Sequence, residues 1–499
     1  MSFRRAWVAL VTLAVGVGAA SRVGSQIPTQ TATKKKPTAA TASGKKLAGQ
    51  VKRAPQAKPP ATRKTVKRKT IAARPGVKPA TAKTVAARAA TPHAASPVYA
   101  PGAVPVAGRE ATIGRITESL ASTQVAIEGA AALEPLFAQL HQLEVDPQSG
   151  MVRILQFGDS HTAADMFTGA MRTLFQAKFG DGGAGFSYPG YPFAGYRIHG
   201  TRRAQSVGWT VLGTHFRDLG ENALVGMGGV SLSTSLPGDW VSLEADATAL
   251  EVQYLIQPGG GEIEIYDGDT LLKTVSTDGA VSAGHYDTPV APGPHHFEVR
   301  TTEYAPVRLL GMVTEQPAGV TYEAVGLNGA EASLILHWDE ALQQTLMAQR
   351  DVALIVLAYG TNEASDSNWS EEGYAAMFRS LIERCRRLAP KAPILVLGPA
   401  DRELRSGRRA WTPYAGIDRI VRAQRSVCRQ LHCAYWDQRA RMGGLGAMQQ
   451  WVSVGWGQAD HTHFTGEGYT ELASALFSDI VQQYNSYEGK FGVAAGGVR

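Results

Sequence analysis

Apolar and polar positions along the chain fall into zones with different periods. Residues 6–20 form a run of small and branched apolar side chains, and from 27 to 107 large apolar side chains all but vanish. Between 110 and 143, Ile113, Ile116, Leu120, Val125, Ile127, Leu133, Leu136, Phe137, Leu140 and Leu143 recur at spacings near three and four. That spacing predicts one or two amphipathic helices. Residues 152–157 are a buried-type strand, and 163–178 carry a helical pattern. From about 187 to 313 the period becomes two: 241–245, 250–254, 262–265, 271–275 and 296–299 read as strands, with the hairpin signal Asp267-Gly268 between two of them. The apolar runs 353–358, 393–397 and 433–436 then alternate with helical stretches at 371–388 and 414–431.

Alternating strands and helices predict a parallel sheet covered on both faces. The short period-two strands between its two pieces, with frequent Gly and Pro, predict an inserted β-sandwich. The fold class is therefore α/β with a β-rich insertion. The expected divisions are an export signal (1–26), a linker (27–107), a helical lead-in and first catalytic piece (108–186), the inserted domain (187–318), the second catalytic piece (319–487) and a tail (488–499).

Charge sharpens the N-terminal picture. Residues 27–107 hold 17 Lys/Arg and no Asp or Glu, and Arg4, Arg5 and Arg22 precede them. The remaining 30 basic residues face all 43 acidic ones, so the formal +7 of the whole chain describes the tail and not the body. A segment so basic and so poor in apolar side chains cannot offset the entropy of ordering and is expected to be disordered. At about 3.1 Å per residue its roughly 80 residues could reach at most about 250 Å. It reads either as a tether that binds anionic envelope polymers or as a solvated spacer. Arg4 and Arg5 before the apolar run, with small residues Gly18 and Ala20 at its end, read as a signal peptide cleaved after Ala20. The alternative is an uncleaved membrane anchor, although about 15 apolar residues fall short of the roughly 20 a span needs. Export places the protein in the periplasm or outside the cell and argues against a nucleic-acid partner for the basic tail.

Three cysteines are present, Cys385, Cys428 and Cys433. Export permits a disulfide. Cys428 and Cys433 are placed to pair, Cys385 could pair with either, and buried free thiols are the other reading. No Cys/His spacing fits a zinc site.

Three segments fall where such a sheet puts its ligand-facing loops: Gly158-Asp159-Ser160-His161, Tyr359-Gly360-Thr361-Asn362-Glu363 and Asp460-His461-Thr462-His463-Phe464. Acyl transfer through a serine needs a hydroxyl, a base, a carboxylate to orient the base, and donors for the oxyanion. Ser160, His463, Asp460 and Asn362 supply these four parts. The Gly-x-Ser-x-Gly elbow is absent, since Asp159 and His161 flank the serine. His161 and His461 compete with His463 as base, and Asp159 reads as loop support. The glycine-rich stretch 180–185 lacks the Gly-Lys-Ser/Thr ending of a phosphate loop. Tyr359 and Trp456 read equally as sugar-site or core residues, and Trp209, Trp240 and Tyr254 as the core of the insertion.

Taken together these blocks resemble the SGNH/GDSL hydrolase superfamily. Gly158-Asp159-Ser160 matches its first block, Gly329 in Gly326-Leu327-Asn328-Gly329-Ala330 its second, Gly360-Thr361-Asn362 its third with Glu363 in place of Asp, and Asp460 with His463 its last. The resemblance implies a three-layer α/β/α domain, a Ser160–His463–Asp460 triad, and an oxyanion hole made of the Ser160 and Gly329 N–H groups and the Asn362 side chain. It implies no metal and no cofactor. Narrower likeness to Gram-negative peptidoglycan O-acetylesterases is carried by residues 158–165, 180–186, 326–330 and 359–364. Those enzymes bear a β-rich insert at the same place.

The expectation is an exported esterase that removes O-acetyl groups from an envelope polysaccharide. The alternatives are an enzyme that acetylates or deacetylates a secreted polymer such as cellulose or alginate, and a wall- or matrix-binding protein with a vestigial site.

Overall fold

The computed structural model describes residues 106–121, 127–213, 220, 222–408 and 410–496. The expected export signal and nearly all of the basic linker lie outside the described residues. No helix among the described residues is long and apolar enough to cross a membrane.

Five parallel strands form the catalytic sheet in the order Gly319–Gly326, Met151–Gly158, Leu354–Ala358, Ile394–Leu397, Ala434–Trp436. Separate apolar cores lie against it. One contains Leu155, Phe157, Ile355 and Leu357 with helix Glu371–Leu388 and helix Gly416–Leu431, and the other contains Ile154, Val356 and Leu395 with helix Phe167–Phe179 and helix Gly466–Gly496. Alternate residues of one strand thus enter different cores, as a strand with period two requires. The expected α/β/α layering is present. The predicted N-terminal helices appear as Val106–Ala121 and Glu134–Val145. The expected tail from 488 is instead helical as far as Gly496, and Phe137 packs on Tyr484 and Tyr487 near its start.

The edge strand Gly319–Gly326 was not legible as a strand. All eight of its residues are buried, yet it carries Thr321 and Glu323. Glu323 is tolerated because Arg350, 1 % exposed, pairs with it. Arg350 also bonds Glu315 at 2.7 Å, and Arg153 holds Glu315 through two bonds of 2.8 Å. Burial would raise the Glu315 carboxyl, but the two guanidinium groups outweigh it and bring it down to about 2.

Among the described residues, nine antiparallel strands make up the inserted region. It enters on Gly185–Ser187 and leaves on Val307–Glu315, and these two strands pair with each other, so both ends meet the catalytic domain at one place. Hydrogen bonds join these strands into one sheet. The reason is two long strands, Trp240–Ile256 and Ser282–Thr301, which pair over nearly their whole length and shift register at Ala247/Ala249. The segments 241–245 and 250–254 are halves of the first, joined through a bulge that bends it. Side chains from both halves, including Val241, Leu243, Val252, Phe297 and Leu309, close on one core. Trp209 and Tyr254 are buried there, as the core reading expects, whereas Trp240 is half-buried and lies outside that core. The Asp267-Gly268 signal forms a tight hairpin, with Asp267 paired to Thr270 and Gly268 at φ 55°.

Cys385, Cys428 and Cys433 are free and buried.

Replacing Arg350 by Met leaves Glu315 and Glu323 without their shared cation. Breaking a buried ion pair in this way costs about 3–5 kcal/mol. The expected outcome is a loss of that size in urea denaturation followed by far-UV circular dichroism; an unchanged midpoint would contradict the structural role given to the network.

Candidate active site

Register brings three of the sequence blocks together. Gly158 is paired with both Gly326 and Ala358, so three neighbouring strands end in one row. The chain leaves the first for Ser160, the second for Gly329 and the third for Asn362. The short helix Ser160–Ala163 sits directly on this row, and glycine is needed beneath it. A Cβ on Gly158 would lie 2.2 Å from Thr162 Oγ1, and one on Gly326 would lie 2.5 Å from the Ala163 nitrogen.

The fourth block arrives from far along the chain. Ser160 Oγ is 2.8 Å from His463 Nε2, and His463 Nδ1 is 2.7 Å from Asp460 Oδ2. Asp460 Oδ1 also accepts the backbone N–H groups of Thr462 and His463, each at 3.0 Å. Burial would raise the Asp460 carboxyl, but the His463 ring and these backbone donors outweigh it and hold it well below the usual carboxylate range. The same hydrogen bond raises His463 above the ordinary histidine value, with partial burial opposing.

Gly329 lies on an exposed turn with φ 73°, a left-handed conformation that suits glycine. Among the described residues neither its N–H nor that of Ser160 has a protein acceptor. Asn362 Nδ2 donates to the Ala330 carbonyl at 2.9 Å, which fixes its amide against the Gly329 turn and leaves its second N–H for another acceptor. Such a set can deprotonate a hydroxyl and hold an anionic oxygen.

The competing histidines are placed elsewhere. His161 Nδ1 is 2.9 Å from the Tyr469 hydroxyl, and its ring centre is 5.0 Å from that of His463. Burial, then the neighbouring His463 charge, push His161 down to about 3. His461 pairs with Glu403 at 2.5 Å and stacks on Trp411. Asp159 is 1 % exposed and accepts the His161 backbone N–H at 2.9 Å, consistent with loop support; burial pushes it up to about 6. Tyr359 and Trp456 are buried among core side chains.

Two further residues organise the site and were not assigned from sequence. Glu363 is fully buried and accepts from the Ala332 N–H at 2.8 Å and the Gly360 N–H at 3.0 Å, tying the Gly329 loop to the Asn362 loop. Burial pushes its carboxyl up to about 8. Asp165 ends the first block at φ 50°, bonds Arg172 at 2.7 and 3.0 Å, and accepts the His199 N–H at 2.7 Å. It fastens the serine segment to the chain that leads into the insertion. An Asp just before a helix with an Arg seven residues later, about two turns on, is the signal that could have found it.

One group among the described residues has metal-ligand spacing, His141, Glu144 and Glu488. It lies on the helices Glu134–Val145 and Gly466–Gly496, and its atoms are bonded to each other, to Lys178 and to Tyr484. It has no connection to Ser160.

Comparison with known proteins bears on the family and the fold. A model of the GDSL-like Lipase/Acylhydrolase family matches residues 291–470. That span contains Gly329, Asn362, Asp460 and His463 and omits Ser160, which the insertion separates from it. The chain is similar to a solved peptidoglycan O-acetylesterase, with 26 % identity and a TM-score of 0.60 over 70 % of this chain and 96 % of that one. It also aligns with family two carbohydrate esterases from Cellvibrio japonicus (13 % identity, TM-score 0.24, 57 % of this chain and 98 % of that one) and Clostridium thermocellum (15 %, 0.25, 51 % and 95 %). A search of curated proteins finds no match.

By imidazole NMR, His161 is expected to stay neutral down to about pH 3 while His463 titrates above the ordinary value of 6.5. Titration of His161 near 6.5 would contradict its burial beside His463.

Proposed function

We propose that this chain, whose residues 291–470 match the GDSL-like Lipase/Acylhydrolase family and which resembles a solved peptidoglycan O-acetylesterase, is a carboxylic ester hydrolase that removes O-acetyl groups from a cell-envelope polysaccharide through Ser160, His463 and Asp460. The observation that carries the assignment is the unbroken chain of hydrogen bonds from Ser160 Oγ through His463 to Asp460, at 2.8 and 2.7 Å.

In this reading His463 Nε2 takes the Ser160 proton as Oγ attacks the ester carbonyl carbon. The carbonyl π pair moves to oxygen, which is held by the Ser160 and Gly329 N–H groups and the free N–H of Asn362. Asp460 stabilises the imidazolium that forms and fixes its tautomer. The tetrahedral intermediate collapses, the sugar oxygen leaves with the proton from His463, and acetyl stays on Ser160. Water, deprotonated by His463, then attacks the acetyl carbon; the bond to Ser160 Oγ breaks, Oγ takes the proton back from His463, and acetate leaves. His161, kept neutral by burial, adds no second positive charge beside His463.

The likeness to a peptidoglycan O-acetylesterase supports an acetylated envelope glycan as substrate. Residues 1–26 would export the enzyme to the periplasm or beyond, and the basic stretch 27–107 would hold it near anionic envelope polymers.

Ser160→Ala is expected to abolish hydrolysis of an aryl acetate and acetate release from O-acetylated peptidoglycan. Asn362→Ala removes one oxyanion donor and should lower kcat about 10²–10³-fold in a protein that still folds. Wild-type turnover by Ser160→Ala would sink the assignment. Acetyl gain by an added polysaccharide, in place of acetate release, would identify sugar and not water as acceptor.

The pH profile follows from His463, which must be neutral to act. Because Asp460 raises its pKa, activity should fall as pH drops through a midpoint above 6.5. Asp460→Asn should move that midpoint to lower pH and cost roughly 10³-fold or more in kcat. A profile flat from pH 5 to 8 would contradict His463 as the base.

A further inference from the structure

The loop 460–464 has to present a carboxylate and an imidazole at one point. Between them stands His461, whose φ of 53° places a residue with a Cβ in the left-handed region. That conformation is disfavoured for such a residue and persists only where surrounding contacts hold it. The His461 N–H donates to the Gln458 carbonyl at 3.0 Å; the residue's other contacts come from one place. Glu403 and Trp411 belong to the two-stranded hairpin Glu403–Arg405 and Trp411–Pro413, which stands apart from both larger sheets. The Glu403 backbone N–H donates to the His461 carbonyl at 3.0 Å, and its carboxylate lies 2.5 Å from His461 Nδ1. The Trp411 ring stacks on the imidazole with centres 3.9 Å apart and planes 12° from parallel.

Glu403 is 1 % exposed and its second oxygen has no partner, so without His461 a whole carboxylate would be stranded. The residue before it, Arg402, donates to the Thr361 carbonyl at 2.9 Å, next to Asn362. Consecutive side chains of one hairpin therefore hold the Asp460–His463 loop and the Asn362 loop.

We propose that this hairpin is a positioning clamp, in which Glu403 and Trp411 grip His461 and Arg402 grips Thr361, fixing where His463 and Asn362 stand relative to Ser160. The inference rests on the catalytic reading given above. His461 touches no reacting atom; it acts through the backbone it fixes. The groups that face His463 are Asp460, Asp159, His161 and Arg402. Loosening the loop weakens the Asp460 contact first, because Asp460 shares that loop with His463.

The test uses His461→Gly, which accepts the left-handed backbone but loses the grip, together with Trp411→Ala and the conservative Trp411→Phe. A misplacement near 1 Å can cost on the order of 10²-fold in rate. On an aryl acetate, His461→Gly and Trp411→Ala should lose about 10–100-fold in kcat with little change in KM. Their acid midpoint should move down, because the Asp460 hydrogen bond is the largest cause that raises it. Thermal unfolding of Trp411→Ala should stay close to wild type, and Trp411→Phe, which keeps a stacking ring, should recover most of the rate. Unchanged kcat and midpoint in the first two variants, with Ser160→Ala inactive, overturns the clamp alone. A loss carried wholly by KM or by unfolding, with no recovery in Trp411→Phe, does so as well. Full activity in Ser160→Ala overturns the catalytic reading and the clamp with it.

Discussion

Three parallel strands that end in one row govern everything this molecule does with Ser160. Gly158, Gly326 and Ala358 are hydrogen-bonded neighbours, so the loops that follow them start from the same level. No flexible reach is then needed to bring a hydroxyl, two backbone N–H groups and a side-chain amide to one spot. The position is the crevice at the carboxyl ends of strands, beside the strand where the order reverses, where open α/β sheets bind ligands. Only His463 and Asp460 come from outside this row. They arrive together on one loop, which fixes their mutual geometry locally and leaves the fold to place the loop as a unit.

Burial then sorts the titratable groups. Asp159 and Glu363 are both enclosed near the site, and burial raises both carboxyls. Asp460 lies at the surface, where backbone donors and His463 keep it charged. His161 and His463 have rings 5.0 Å apart but shift in opposite directions, one by burial and one by a carboxylate. Two adjacent histidines thus differ in role through their environments alone.

Much of this was legible in the sequence, because the site is built from short blocks that keep their residue types wherever the fold puts them. Ser160, Asn362, Asp460 and His463 could be named without coordinates, and the structure brings them together. The parallel sheet was legible where its strands are uninterrupted apolar runs, as in 354–358. It failed at Gly319–Gly326, where Glu323 breaks the apolar pattern and is compensated by Arg350, a residue on a separate helix. The long strand Trp240–Ile256 read as two short ones for a related reason. A bulge at Ala247/Ala249 lets one strand serve both halves, and local periodicity reads that strand as two. The supporting contacts of Glu363, Asp165 and the Glu403–His461 pair were hidden because each joins segments distant in sequence.

The most direct measurement is peptide mapping by mass spectrometry after reaction with a fluorophosphonate, which modifies only a serine made nucleophilic by its surroundings. The account predicts a single adduct on Ser160, formed far more slowly when His463 is replaced by Ala. An adduct on another residue, or no adduct in a preparation that hydrolyses an aryl acetate, would contradict it.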